Sequence, residues 1–284
     1  IDDLKMNKEI NILKKSLEIY SPCGKEKEIS EYLATEMNKL GFKAKIDEVG
    51  NVIGETGSGK ETLLIVGHID TVPGFIKVKV EKDKIYGRGS VDAKSSFLAA
   101  MFAVSRLKKL NKKIILIGAV QEEGPSIGAL HILDKYNPNY IIICEPSSWQ
   151  GIILGYKGSV RIKYSIKKEM RHSAFNELNA MEEAFSFYGK IKEFVNNFNK
   201  EKTIFQTLDA TIEGINSGND GFYENAEMRI RFRIPLGFDD KTLKNFINKS
   251  KVNAEVEFIS EEKPIKAGKN NKLVRAFLQA IRKN

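Results

Sequence analysis

One histidine and four carboxylates, His68, Asp92, Glu122, Glu123 and Glu145, stand where they could hold and use a divalent metal ion. Three apolar runs each end in such a group. Thr62-Leu-Leu-Ile-Val66 runs into Gly67-His68-Ile69-Asp70, Ile114-Ile-Leu-Ile117 runs through Gly118-Ala-Val120 into Gln121-Glu122-Glu123-Gly124, and Tyr140-Ile-Ile-Ile143 runs into Cys144-Glu145-Pro146. Metal-assisted hydrolysis needs ligands that hold an ion without saturating it, and a base that is not itself a ligand. A two-metal reading places His68 and Glu145 on one ion and Glu123 on the other, with the Asp92 carboxylate as bridge. Glu122 is then the free base, and Asp70, two residues past His68 on the same side of an extended segment, is positioned to hold the second imidazole nitrogen. Taken singly, each group has a plainer role: His68 as a strand-end histidine, Asp92 as a helix cap, Glu122 and Glu123 as charges favouring a helix N-terminus. Their coincidence at the ends of successive apolar runs carries the metal reading.

The elements that must position these groups follow from periodicity. Short continuous apolar runs read as central strands buried on both faces, and ligands collect in the crevice at the carboxyl ends of such strands in α/β sheets. Helical spacing predicts two opening helices, from about Leu4 to Ile19 and then to about Leu40, where Gly41 is the stop signal. Strands follow around 44–49 and 52–54, with a probable hairpin over Lys77–Tyr86, and Phe97, Leu98, Met101, Val104 and Leu107 mark a helix face behind Asp92. A further helix is expected near Pro125–Tyr136. After Trp149 the pattern becomes α+β: strands at 159–166, 206–215, 227–234 and 254–259, and helices at 180–198 and 241–247. The helical pattern at 271–283 reads as a return to the first domain, which makes the second unit an insertion.

Composition narrows the alternatives. With 284 residues, 42% hydrophobic and 29% charged, the chain is long enough for two domains with their own cores. No apolar stretch approaches the roughly 18 residues of a membrane span, and the Ile1–Met6 start lacks the order of a signal peptide, so a cytoplasmic address with no membrane partner is expected. Cys23 and Cys144 argue against a disulfide framework and are given no catalytic role. The formal charge of +9 suits an anionic partner without identifying it. No zinc-finger spacing or aromatic RNA-binding signature accompanies it, so no nucleic-acid partner is expected. Gly54-Glu-Thr-Gly-Ser-Gly59-Lys60 approaches a phosphate-loop pattern but has Glu61 where a hydroxyl should bind magnesium, and it precedes a strand rather than a helix.

As a set, Gly67-His68-Ile69-Asp70, Gly87-Arg88-Gly89 with Asp92-Ala-Lys94, Glu122-Glu123-Gly124 and Glu145-Pro146 resemble the co-catalytic zinc family of aminoacylases and carboxypeptidases. The resemblance implies an α/β fold: a mixed-sheet zinc-hydrolase catalytic domain with an inserted α+β lid that often dimerises. The expected division is 1–154 for the first part of the catalytic domain, 155–262 for the lid and 263–284 for an incomplete second part. By position, His68 and Glu145 resemble the ligands of one zinc, Asp92 the bridge and Glu123 a ligand of the other. Glu122 resembles the base and Asp70 the partner of His68. His172, in Arg171-His172-Ser173-Ala174, resembles the lid histidine that stabilises the oxyanion in a neighbouring subunit.

Two zinc ions per site are expected, with cobalt as a possible substitute, and a homodimer. The branch acting on lysine or ornithine linked to an acidic amino-group carrier protein is the expected one, with a small N-acyl amino acid or dipeptide as the alternative substrate. Two departures stand out. The family closes its second zinc with a histidine near the C-terminus, whereas the histidines here are His68, His131 and His172, and the chain ends at Asn284 where a relative is expected to continue. Ser95 follows Asp92-Ala-Lys94 where many relatives have glycine.

Overall fold

The computed structural model describes residues 8–171 and 177–283. It divides into two compact units, Ile1–Trp149 and Gln150–Asn284.

The first unit contains α1 (Lys8–Glu18), α2 (Lys27–Lys39), β1 (Lys43–Ile46), β2 (Val52–Thr56), β3 (Thr62–His68), β4 (Lys79–Glu81), β5 (Lys84–Tyr86), α3 (Lys94–Ser105), β6 (Lys113–Ala119), α4 (Ile127–Ile132) and β7 (Tyr140–Ile143). Five strands form a mixed sheet in the order β1-β2-β6-β3-β7. β3 runs parallel to both β6 and β7, while β1 and β2 are antiparallel additions. Alternation along the central strands sends successive residues to opposite faces. Ile65, Ile114 and Leu116 meet Ile29, Leu33, Phe97 and Met101 of the helices, while Leu64, Ile115 and Ile117 pack with Ile132 on the other face.

β3 and β6 are therefore buried on both faces, as their apolar runs predict. β7 is not. It lies at the edge of the sheet, and Ile141 and Ile143 are about half exposed, 52% and 51%. An apolar run looks the same in a central and an edge strand, so periodicity could not separate them. α4 is shorter than the expected 125–136. Ser126 takes a left-handed backbone (φ 54°) just before it and the helix stops at Ile132. The glycine-rich segment after β2 leads into β3, with no helix to receive a phosphate. A Cβ on Gly59 would fall 2.2 Å from the Asn111 carbonyl oxygen, so this glycine is needed for close backbone packing.

The second unit contains β8 (Gly155–Tyr156), β9 (Gly158–Glu169), α5 (Ala180–Phe198), β10 (Asp209–Asn219), β11 (Tyr223–Ile234), α6 (Asp240–Ser250), β12 (Ala254–Glu262), β13 (Ile265–Lys266) and α7 (Lys272–Lys283). Its four-stranded sheet, ordered β10-β11-β9-β12, is antiparallel throughout. Val160, Ile162, Tyr164 and Ile166 alternate inward on β9, and Met228, Ile230 and Phe232 do so on β11; all pack with Phe187, Ile191 and Val195 of α5 and Leu243 and Ile247 of α6. The intervening Arg161, Lys163 and Arg231 pair with Glu213, Glu227 and Glu257 on the opposite face. α5 starts on a capping box, with Asn179 accepting from the Glu182 N–H and Glu182 accepting from the Asn179 N–H. β13 pairs with β8, so 265–266 groups with this unit, as does α7. Among the described residues no helix is long and apolar enough to cross a membrane.

Two glycines should respond oppositely to alanine. At Gly118 of β6 a Cβ would lie 2.7 Å from both Ile69 Cγ2 and Val52 Cγ1. Gly118→Ala should overpack the core and lower stability by about 1–3 kcal/mol. Gly189 lies within α5 with nothing within 4 Å of an added Cβ, and Gly189→Ala should raise stability by about 0.5–1 kcal/mol through helix propensity. Denaturant titration of the two variants beside the parent checks both signs.

Candidate metal centre

The parallel strands bring the metal-competent groups to one end of the sheet. His68 is the last residue of β3 and pairs with Ala119, the last residue of β6. The chain past β3 is fixed by the Ile69 N–H, which donates to the Ala119 carbonyl at 2.9 Å. Beyond β6, the Val120 N–H donates to Asn51 Oδ1 at 3.0 Å and Gln121 turns with φ of 59°, delivering Glu122 and Glu123. Beyond β7, the Cys144 N–H donates to the Val66 carbonyl at 2.7 Å, and Ser96 Oγ donates to the Cys144 carbonyl at 2.7 Å, placing Glu145.

His68 is the centre of the constellation. It is 2% exposed, its Nε2 lies 2.9 Å from Asp92 Oδ1, and one ligand atom from each of His68, Asp92 and Glu123 falls within 4.8 Å of the others. Asp92 does not cap α3: the cap position is Ala93, with no side-chain cap bond, and the Asp92 carboxylate turns to the imidazole instead. The neighbouring Lys94 is buried and donates to the Ser16 and Ile19 carbonyls at 2.9 Å each, tying the end of α1 to the start of α3; burial pushes its pKa down to about 8. Ser95 Oγ donates to the Ser90 carbonyl at 2.7 Å, steadying the turn before the helix.

Asp70 stands beside the imidazole and also holds the neighbouring loop. The nearest acceptor to His68 Nδ1 is the Asp70 backbone carbonyl at 3.0 Å, with the carboxylate oxygen Oδ1 at 3.5 Å. The carboxylate also accepts from the Glu122 N–H at 3.0 Å and the Glu123 N–H at 2.9 Å. Asp70 thus faces the ring with both its main chain and its carboxylate, and holds the Glu122–Glu123 loop with the latter. His172 lies outside the described residues.

The electrostatics show a site short of positive charge. Burial alone favours a neutral imidazole, but the Asp70 and Asp92 carboxylates, with Glu122 adding to the negative field, push the His68 pKa up to about 10. Burial, then Glu122, Asp92 and Glu123, push Glu145 up to about 7 against the opposing pull of His68. Glu123 is raised by burial and by the Asp92 and Glu122 charges. Burial works to raise Asp70 too, but the hydrogen bonds from His68 and from the Glu123 and Glu122 N–H groups outweigh it and hold the carboxyl low. Imidazole nitrogen and carboxylate oxygen converging under mutual repulsion form a donor set that a divalent cation satisfies.

Among the described residues two other clusters combine metal-competent side chains. Around His131, Asp47 Oδ1 already accepts from the Val49, Gly50 and Asn51 N–H groups and Lys135 Nζ occupies the same space, so that cluster is an ion-pair network. The other joins Cys23, Glu26 and Asp70. Neither Glu26 nor Asn51 was singled out from sequence, and neither carries a local signal: one reads as a helix-start glutamate, the other as a turn residue.

The chain matches the model of peptidase family M20/M25/M40 over residues 64–284. It is 33% identical to a [LysW]-lysine hydrolase of Deinococcus radiodurans over 282 residues, covering 95% of this chain and 78% of that protein. It is 27% identical to a [LysW]-lysine/[LysW]-ornithine hydrolase of Saccharolobus islandicus, covering 99% of this chain and 79% of the relative. In fold it resembles an M20 family metallo-carboxypeptidase of Sulfolobus solfataricus, with a TM-score of 0.77 at 20% identity over 98% of this chain and 84% of the other. With its acid-rich histidine centre at the carboxyl ends of parallel strands, the chain belongs to peptidase family M20/M25/M40 and is a metal-dependent hydrolase of amide bonds.

Proposed function

We propose that this chain releases lysine or ornithine from an amide linkage to an acidic amino-group carrier protein. The observation that carries the reading is the 33% identity, over nearly the whole chain, with a relative named for that hydrolysis. The convergence of His68, Asp92 and Glu123 supplies chemistry suited to it, and the +9 charge favours an acidic partner. Two zinc ions are the proposed complement, with cobalt able to replace them. His68, Asp92, Glu123 and Glu145 are the residues that would hold them. Zinc, when bound, polarises the scissile carbonyl and makes water easier to deprotonate.

The remaining work falls to the protein. Glu122 takes the proton of the attacking water and delivers it to the departing amino group. Asp70 holds the Glu122–Glu123 loop and fixes the His68 ring. His172 offsets the negative charge that develops on the carbonyl oxygen. In chain organisation, 1–154 is proposed as the first part of the catalytic domain, 155–262 as the lid through which a homodimer forms, and 263–284 as a second catalytic-domain part by resemblance, even though β13 pairs with β8 and α7 clusters with the second unit. The cytoplasm is the proposed site of action.

Glu122→Gln should lower turnover by about 10²–10⁴-fold while metal content per chain, read by elemental mass spectrometry, stays at the parent value. Near-parent turnover would remove Glu122 from the role of base. Assays with carrier-linked lysine, an N-acetylated amino acid and a dipeptide should show the carrier-linked substrate cleaved fastest, and a preference for either small substrate would overturn the carrier assignment.

A pH prediction follows from His68. With its pKa raised to about 10, the metal-free ring holds a proton throughout the neutral range, and metal must displace it. Apparent zinc affinity should therefore strengthen about tenfold between pH 7.5 and 8.5 for this proton alone. An ordinary histidine, already neutral in that window, would leave affinity flat. Titration against a competing chelator, corrected for the chelator's own protonation, distinguishes the two.

A further inference from the structure

The segment Ser21–Glu26, between α1 and α2, touches both loops that carry the metal centre. Ser21 Oγ donates to the Ile69 carbonyl at 2.9 Å, the Thr71 N–H donates to the Ser21 carbonyl at 3.0 Å, and the Cys23 N–H donates to the Thr71 carbonyl at 3.3 Å. The segment therefore lies alongside the turn that follows His68. Its far end reaches the other loop. Glu26 is buried, 5% exposed, and its Oε1 accepts from the Gly24 N–H at 2.7 Å and from the Gln121 N–H at 3.2 Å, 95 residues away in sequence. Between these points Cys23 Sγ fills the space where a side chain on Gly124 would begin, 2.5 Å from an added Cβ.

The Gln121 bond completes a pattern. The next two N–H groups, of Glu122 and Glu123, are taken by the two oxygens of Asp70. Three successive peptide N–H groups are thus each held by a buried carboxylate, two by Asp70 and one by Glu26. Gln121 needs the restraint: its φ of 59° is left-handed, a conformation a residue with a Cβ keeps only when its surroundings impose it. Released, Gln121 would relax and swing Glu122 and Glu123 together, because they follow it directly.

We infer that Glu26 is a positioning residue for the reaction: by accepting the Gln121 N–H it locks the turn that aims Glu122 and Glu123 into the metal centre. The inference rests on the roles proposed above for those two glutamates. The test compares Glu26→Ala, Glu26→Gln and Glu26→Asp. Gln keeps an acceptor oxygen at the same reach, whereas Asp keeps the charge but is one methylene shorter, which withdraws the acceptor from the Gln121 N–H.

Amide hydrogen exchange on the metal-free proteins should show the 121–123 amides exchanging at least about tenfold faster in Ala and Asp than in the parent, with Gln near the parent and the β3 amides unchanged in all three. On the best substrate of the parent, kcat should fall about 10–100-fold in Ala and Asp with KM within about threefold, and recover in Gln, as expected when a reacting group is displaced rather than removed. Unchanged exchange at 121–123 in Ala or Asp overturns the inference, as does Gln no better than Ala. If Ala fails to fold, the Asp and Gln pair decides alone. A parent that cleaves none of the amides would overturn the functional reading, while the exchange pattern would still decide the role of Glu26.

Discussion

The parallel register of β3 against β6 and β7 is the constraint on which the site depends. Pairing Gly67 with Gly118 and His68 with Ala119 fixes where each strand stops, and each of the three strands delivers its polar group at or just past that stop. A slip of one residue would send His68 to the opposite face of the sheet. The glycines at this level are part of the same constraint. A Cβ on Gly67 would meet Cys144 Cβ at 2.9 Å and Phe97 at 3.2 Å, so the strands and α3 approach as closely as they do because these positions are bare. The apolar core thus stabilises the fold and also sets the reach of the ligands.

What the core brings together is electrostatically uncomfortable. Several carboxylates share a small space around one buried imidazole, and the raised pKa values of Glu123 and Glu145 record first their burial and then their repulsion. A proton on His68 relieves part of it; a divalent ion relieves more. Because binding of a ligand to the native state alone adds to stability by mass action, metal supply and folding are coupled in this protein. Among its described residues the second unit shows no comparable crowding of charge. Its sheet places apolar residues against α5 and α6 and pairs Arg161 and Lys163 with Glu213 and Glu227 on the other face, where they are partly exposed.

The strands that matter most were legible because each carries a continuous apolar run, and α5 because of its helical period. His68, Glu122, Glu123 and Glu145 were legible because they stand at or shortly after such runs, and Asp92 because it stands just before a helical one. Partner choice was harder to read. Asp92 before a helix has the same local sequence whether it caps the helix or faces a histidine, and only the tertiary approach of β3 decides. The Asp70 carboxylate serves N–H groups 52 and 53 residues away, a relationship no local pattern encodes. Glu26 is equally invisible, since its contact with Gln121 exists only because the residue before α2 lies beside the loop that follows β6. The edge position of β7 was misread for the opposite reason: four apolar residues look central whatever lies beside them.

β7 leaves its outer side open to a further strand. Tyr140–Ile143 ends the five-stranded sheet with three isoleucines in succession, no proline or lysine among them, and no partner strand on its outer side among the described residues. A parallel edge of this kind presents backbone donors and acceptors in a row, with half-exposed Ile141 and Ile143 beside them, and it lacks the charges and kinks by which sheet edges avoid one another. Another polypeptide strand laid along β7 would gain both a hydrogen-bonded ladder and apolar cover. Among the described residues β7 is thus an edge suited to strand addition, and a lysine in place of Ile141 or Ile143 is the change that would make it less receptive.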